Sequence, residues 1–237
     1  MRKMFVEQAK KYHVFPLDAS VGARVAAQRP SLTAGRKEMV YTHLMTGVPQ
    51  GDAPYLLDTS YSLTADITVP EGGAQGMIAT SGGRFAGWGF YLLQGKPVFC
   101  WNLLDLEWVK WEAPEALAPG QHTLEFDFKY DGLGVGTMAY NNFSGIGKGG
   151  TGTLKVDGKV VETKRMEKTL PIILQWDESF DIGQDTITGV NDADYLPPFP
   201  LTAKFNKLTI KIDRPKLSPE EIKKLEEGVK KAALGIQ

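Results

Sequence analysis

The chain has 237 residues, 42% of them hydrophobic, enough for one large all-β domain or two small ones. Its 27 basic and 28 acidic residues leave a net charge of −1, with no excess to neutralise a phosphate backbone, so nucleic acid is excluded as a partner. The single cysteine, Cys100, excludes an internal disulfide framework and a Cys-rich zinc site, and no apolar run approaches a membrane span.

Residues 1–13 place Met1, Phe5, Ala9 and Tyr12 near helical spacing and predict a short amphipathic helix that Pro16 ends. The basic start lacks an apolar h-region and does not read as a signal peptide, so the default location is cytoplasmic. Residues 17–60 are punctuated by glycine and proline, with one or two strands hidden among them, for example around Met39–Leu44. In "SLTADITV", Leu63, Ala65, Ile67 and Val69 alternate with polar residues and predict a half-buried strand. "GWGFYLL" and "KPVFCWN" flank Gln94-Gly95 as a hairpin, and "LEWVKW" follows as a further strand. "TLEFDFKY" points Leu124, Phe126, Phe128 and Tyr130 one way, and Glu125, Asp127 and Lys129 the other. "TLKV" and "KVVET" flank Asp157-Gly158, a tight-hairpin signal. "PIILQW" and "KLTIKID" complete the strands. At the end, Ser218, Pro219 and Glu221 fit a helix start, with a stripe of Ile222, Leu225, Val229 and Ala232.

Strands at short intervals with no helix between them predict a mainly β fold, an antiparallel β-sandwich with a short N-terminal and a C-terminal helix. The expected organisation is a helix and lead segment over 1–60 packing on the sandwich, the sandwich itself over 61–215, and the terminal helix over 216–237.

Candidate chemistry is sparse. Cys100 lies in an apolar strand, where a thiol is inert, and no G-x-S-x-G elbow exists. His13, His43 and His122 lack ligand spacing. "SGGRFAGWGF" and "GIGKGGTGT", the latter with Lys148, lack the phosphate-loop pattern and read as turns and bulges. Glu125 and Asp127 share a strand face roughly 7 Å apart, a separation that inverting glycosidases use, with His122 nearby as a third catalytic candidate. Trp88, Trp101, Trp108 and Trp111 cluster within 24 residues as core or as a ligand-stacking surface. Between 176 and 195 stand Asp177, Glu178, Asp181, Asp185, Asp192 and Asp194 with no Lys or Arg. They read as a solvated acidic loop, as calcium or other divalent-cation ligands (Asp177, Asp181, Asp185, Asp192, Asp194), or as catalytic acids.

The motifs "VFPLDAS", the run from Thr59 to Asn102, "FKYDGLG", "GTGTLKVDGK" and "QWDESFDIGQDTITGVNDADY" together resemble the C-terminal region of large bacterial arylsulfatases, from about Lys3 to Ser218. The resemblance implies a concanavalin-like, jelly-roll type sandwich, reached through a short helix and following a catalytic domain. The sulfatase C/S-x-P-x-R motif is absent, since Cys100 is followed by "WNLLD", and no catalytic residue carries over. The resemblance therefore implies a stand-alone accessory domain, with a sulfatase catalytic domain, a glycan or an aryl compound as partner. Apolar side chains such as Phe5, Phe15 and Leu17, left uncovered without that domain, suggest a homodimer. A metal-assisted hydrolase of sulfate or phosphate esters is the alternative, and a glycan-binding or glycan-cleaving module the third reading.

Overall fold

A computed structural model describes residues 1–15, 31–132, 147–170, 177–213, 218–220, 222–223 and 227. The expected strand over 171–176 and most of the C-terminal stripe lie outside the described residues. The chain divides into two units, Met1–Ser31 and Leu32–Gln237.

The first unit holds the predicted helix, α1 (Arg2–Lys11). Lys10 and Lys11 lie in its last turn, where their charge complements the exposed carbonyl end of the helix. Phe5 meets Phe15 edge to face, with ring centroids 6.3 Å apart.

The second unit is the sandwich. Twelve strands are described: β1 (Glu38–Tyr41), β2 (Met45–Pro49), β3 (Ser60–Val69), β4 (Gly76–Gly83), β5 (Ala86–Leu93), β6 (Lys96–Leu103), β7 (Glu107–Glu112), β8 (Gly120–Tyr130), β9 (Lys148–Val156), β10 (Lys159–Lys168), β11 (Ser179–Ile182) and β12 (Lys204–Asp213). They form two six-stranded sheets, ordered β1-β12-β3-β8-β9-β10 and β2-β11-β4-β5-β6-β7. Every described pairing is antiparallel. The lead segment is thus not merely irregular, because β1 and β2 each join one sheet. Near the C-terminus, Pro219, Glu220, Ile222, Lys223 and Glu227 are helical, and Ile222 N–H donates to the Ser218 carbonyl at 2.9 Å.

Both expected hairpins form as two-residue turns. Gln94 and Gly95 sit at φ 51° and 83°, and Asp157 and Gly158 at 51° and 76°, the positive values that match the turn to the twist of the flanking strands. In the first sheet the alternation holds: β3 buries every second residue and β8 buries Leu124, Phe126, Phe128 and Tyr130. These meet Ile78, Trp88, Phe90, Phe99, Trp101 and Trp111 of the second sheet in one core. Phe99 and Phe126 stack across the two layers, with centroids 3.6 Å apart and planes 9° from parallel.

The glycine run "GKGGTGT" is not a turn. Its residues from Lys148 onward are strand β9, and they are small because rings press on them. A Cβ on Gly152 would stand 2.5 Å from Trp111 Cζ2, and the indole Nε1–H of Trp111 donates to the Gly152 carbonyl at 3.0 Å. Gly152→Ala is therefore expected to overpack the core and destabilise the fold by about 1–3 kcal/mol. A lowered denaturant midpoint with an unchanged m-value would confirm it; an unchanged midpoint would contradict it.

The outermost strand of the first sheet, β10, has the sequence KVVETKRMEK and is exposed along most of its length.

Candidate ligand-binding site

The strands β4, β5 and β6 are buried on both faces, unlike β3 and β8. The cover on their outer face is the acidic stretch itself. After β11 the chain runs back over the second sheet as a strap, residues 183–203. Gly183 N–H donates to the Ile78 carbonyl at 2.9 Å, Met77 N–H to Phe199 O at 3.0 Å and Thr202 N–H to Gln75 O at 2.8 Å. Beneath it, Val190 and Tyr195 bury Met77, Tyr91, Val98 and Cys100, with Phe199 packed alongside. Tyr195 stacks on Phe199 at 4.5 Å and meets Tyr91 edge-on at 5.3 Å. Burial pushes the Cys100 thiol up to about 12, keeping it in the unreactive protonated form.

Five of the six carboxylates of the stretch each have a partner of their own, and Asp177 lies exposed ahead of β11. Asp181 is buried, and its Oδ1 accepts from Gly47 N–H at 2.6 Å and the Ser179 hydroxyl at 2.9 Å, while Oδ2 accepts from the Thr186 hydroxyl at 2.5 Å. Glu178 accepts from Thr188 Oγ1 at 2.5 Å, and its carboxyl is raised, first by burial. Asp185 is 1% exposed and accepts from the Tyr195 hydroxyl at 2.5 Å. Burial pushes its carboxyl up to about 7; the Tyr195 bond opposes this, and the Asp181 and Glu178 charges add to it. Asp192 pairs with Arg84, whose Nε lies 2.8 Å from Oδ2. Asp194 accepts from Lys110 Nζ at 3.1 Å and from the Tyr91 hydroxyl at 2.5 Å. Burial would lower the Lys110 ammonium, but Glu112 and Asp194 outweigh it and raise it. The mutual repulsion anticipated for the cluster is thus relieved by Arg84 and Lys110, by the Tyr91 hydroxyl of β5, and by the hydroxyls of Ser179, Thr186, Thr188 and Tyr195 within the stretch itself. Among the described residues no three His, Cys, Asp or Glu side chains are grouped so as to hold a metal ion.

The strap is pinned by a residue that the sequence left unmarked. Asn102, fully buried at the end of β6, directs its Nδ2 at the carbonyls of Gly83 (3.1 Å), Arg84 (2.7 Å) and Val190 (2.9 Å). Its Oδ1 accepts from Asp105 N–H at 2.9 Å. One amide thereby joins the β4–β5 turn, the β6–β7 turn and the strap. Trp108 lies opposite Asn102 on β7, the edge strand of this sheet. Its indole N–H donates to the same Val190 carbonyl at 3.1 Å, while the side chain remains 41% exposed at residue level. Trp108 therefore stands on the surface with its indole N–H held, two residues from Lys110 on the same face of β7 and across Asn102 from the turn that carries Arg84.

The other expected site residues are placed differently. Of the four Trp residues expected as core or as a ligand-stacking surface, Trp88, Trp101 and Trp111 are 3%, 2% and 0% exposed; they point to the opposite face of the sheet from Trp108 and build the core. Glu125 and Asp127 lie on the solvent face of β8, where Lys155 Nζ binds Asp127 at 2.6 Å. His122 has the opposite strand parity and does not join them. Its Nδ1 faces Asp157 Oδ2 and its Nε2 faces the Ala118 carbonyl, each at 2.8 Å. Asp157 is held below its ordinary value: slight burial raises it, and the Thr123 N–H and the His122 ring outweigh that. No described helix is long and apolar enough to cross a membrane.

No family model matches the chain, and no curated protein matches it. Solved structures that resemble it include the CBM40 of the Ruminococcus gnavus IT-sialidase bound to α2,3-sialyllactose, at 12% identity and a TM-score of 0.46, covering 78% of this chain and 94% of that one. The botulinum neurotoxin serotype D binding domain is 12% identical with a TM-score of 0.42, covering 83% of this chain and 48% of that one. A structure of botulinum neurotoxin type C, whose cell entry is dependent upon interaction with two ganglioside molecules, is 10% identical with a TM-score of 0.44, covering 81% of this chain and 46% of that one. Likeness at this level assigns no ligand to the chain. The neighbours reported above are sialidase modules and neurotoxin domains, not sulfatase C-terminal domains, and this overturns the expected arylsulfatase kinship. The physical reason lies in the motifs that suggested it. The run from Thr59 to Asn102 consists of β3–β6 with their tight turns, and alternation with glycine turns is what any such sandwich demands.

Proposed function

We propose that the chain is a non-catalytic carbohydrate-binding module whose recognition surface is centred on Trp108. The supporting observation is the exposed indole, held by the Val190 carbonyl, on the strand face that also carries the Lys110–Asp194 pair and across Asn102 from the turn of Arg84, which pairs with Asp192. A sugar ring offers a flat C–H face that stacks on an aromatic ring, and hydroxyls that seek both donors and acceptors around it. Arg84 and Lys110 supply donors, and Asp192 and Asp194 supply acceptors. Each is already tethered by its ion pair, so little side-chain freedom remains to be lost on binding.

The test is a glycan array followed by calorimetric titration of the strongest ligand. Trp108→Ala is expected to weaken binding about tenfold or more, which is about 1.4 kcal/mol for each factor of ten. It is expected to leave the melting temperature nearly unchanged, because the Val190 carbonyl keeps its bond from Asn102. Full affinity in the variant, or an array without a ligand, would overturn the proposal.

A further inference from the structure

At the other end of the second sheet lies a groove of about 430 Å³, lined by Gly72, Gly73, Gln75, Gln94, Gly95 and Leu117 among others. Its volume falls within the range of small-ligand sites. From this groove we infer a second binding site, one that takes a neutral saccharide unit. The Trp108 surface is in register with Gly87 and the groove adjoins Gln94, seven residues further along, which at about 3.3 Å per residue puts roughly 23 Å between them, so one sugar ring cannot occupy both.

Three features carry the assignment. First, the walls are preformed. Leu117 N–H donates to the Gly95 carbonyl at 2.9 Å and Gly73 N–H to Pro70 O at 2.9 Å. Gln75 and Thr202 exchange three bonds: Gln75 N–H to Thr202 Oγ1 at 2.8 Å, Thr202 N–H to Gln75 O at 2.8 Å, and Thr202 Oγ1 to Gln75 O at 3.1 Å. Three separate turns are thereby fixed before any ligand arrives. Second, the lining contains no ionisable side chain. An ion would leave water with no opposite charge to meet it, whereas the Gln75 and Gln94 primary amides each offer donors and an acceptor, the combination a hydroxyl matches. Third, the floor is glycine and alanine, with Leu117 as a ledge for C–H groups. A Cβ at Gly95 would come within 2.9 Å of the Ala116 methyl, so this floor admits no larger residue without displacing its neighbour. A peptide is disfavoured because the groove is bounded by turns at the strand ends, not by the unpaired edge that strand addition requires.

The experiment is an amide-resolved NMR titration of the labelled chain with cellotriose, maltotriose and xylotriose. We expect saturable shifts of the Gly72, Gly73 and Gly95 amides and of the Gln75 and Gln94 side-chain NH2 groups with at least one of them. The double variant Gln75→Ala/Gln94→Ala is expected to bind at least tenfold more weakly. Gly72→Leu, at a position where a Cβ meets nothing within 4 Å and the φ carries no penalty, should fill the groove and abolish the shifts with the fold intact. Trp108→Ala should leave them unchanged, which separates failure here from failure of the proposed function. The inference is overturned if none of the three sugars shifts these amides at about 10 mM, where even millimolar affinity would show. It is equally overturned if shifts persist in Gly72→Leu, if they centre on Trp108, or if a short peptide moves these amides and no sugar does.

Discussion

Asn102→Leu is expected to cost about 3–5 kcal/mol of folding stability, the largest effect of any single substitution considered. The volume is nearly conserved, so the loss is not a cavity. It comes from the buried carbonyl of Gly83 and the part-buried carbonyl of Arg84 and N–H of Asp105, which lose their partner together, at about 1–3 kcal/mol for each group left unsatisfied. The Val190 carbonyl is spared in part because Trp108 also donates to it. Asn102→Asp makes the distinction sharper. It keeps the acceptor for Asp105 but turns an oxygen toward three carbonyls, so its defect should deepen as pH rises and the new carboxyl ionises. Urea unfolding of both variants at several pH values measures this. A loss below about 1 kcal/mol for the leucine variant would show that the strap does not depend on this amide.

The second large effect is a dependence on pH. Asp185 titrates near 7 in the folded chain and near the ordinary 3.8 when unfolded. Its contribution is therefore fully present below about pH 4 and is lost as pH rises through 7, because the folded state holds a proton that the unfolded state has released. The total is on the order of a few kcal/mol. Asp185→Asn retains an oxygen that can accept from the Tyr195 hydroxyl and never ionises. It should match the parent at pH 4 and exceed it increasingly toward pH 8. Glu178, also raised by burial, contributes a slope of the same sign to both proteins and cancels in the comparison. Parallel stability–pH curves for parent and variant would refute the assignment.

Where one face of a sheet is wet, the fold was legible in the sequence. The alternation of β3 and β8 and the turns Gln94-Gly95 and Asp157-Gly158 carry their own signals, because the forces involved act between near neighbours. The second sheet was harder. Both faces of β4–β6 are covered, so apolar and small residues run on without a period, and β4 itself was hidden among glycines. The strap was misread for a related reason. Its charge is balanced by Arg84 and Lys110, and its hydroxyl partners include Tyr91; the partners of Asp192 and Asp194 lie 84 to 108 residues away in sequence. No local pattern reveals such pairing. Asn102 looked like the polar end of a strand, and Trp108 could not be told from its three buried neighbours, since strand position alone does not say which face a second layer will cover.

The exposed outermost strand β10 has a consequence for how copies of this chain can meet. Six of its ten residues are charged: Lys159, Glu162, Lys164, Arg165, Glu167 and Lys168. Another molecule extending the sheet at this rim would have to strip water from that row and set cations beside cations in most registers. The margin is thus guarded against open-ended, fibril-like growth, and any self-association must use a different surface.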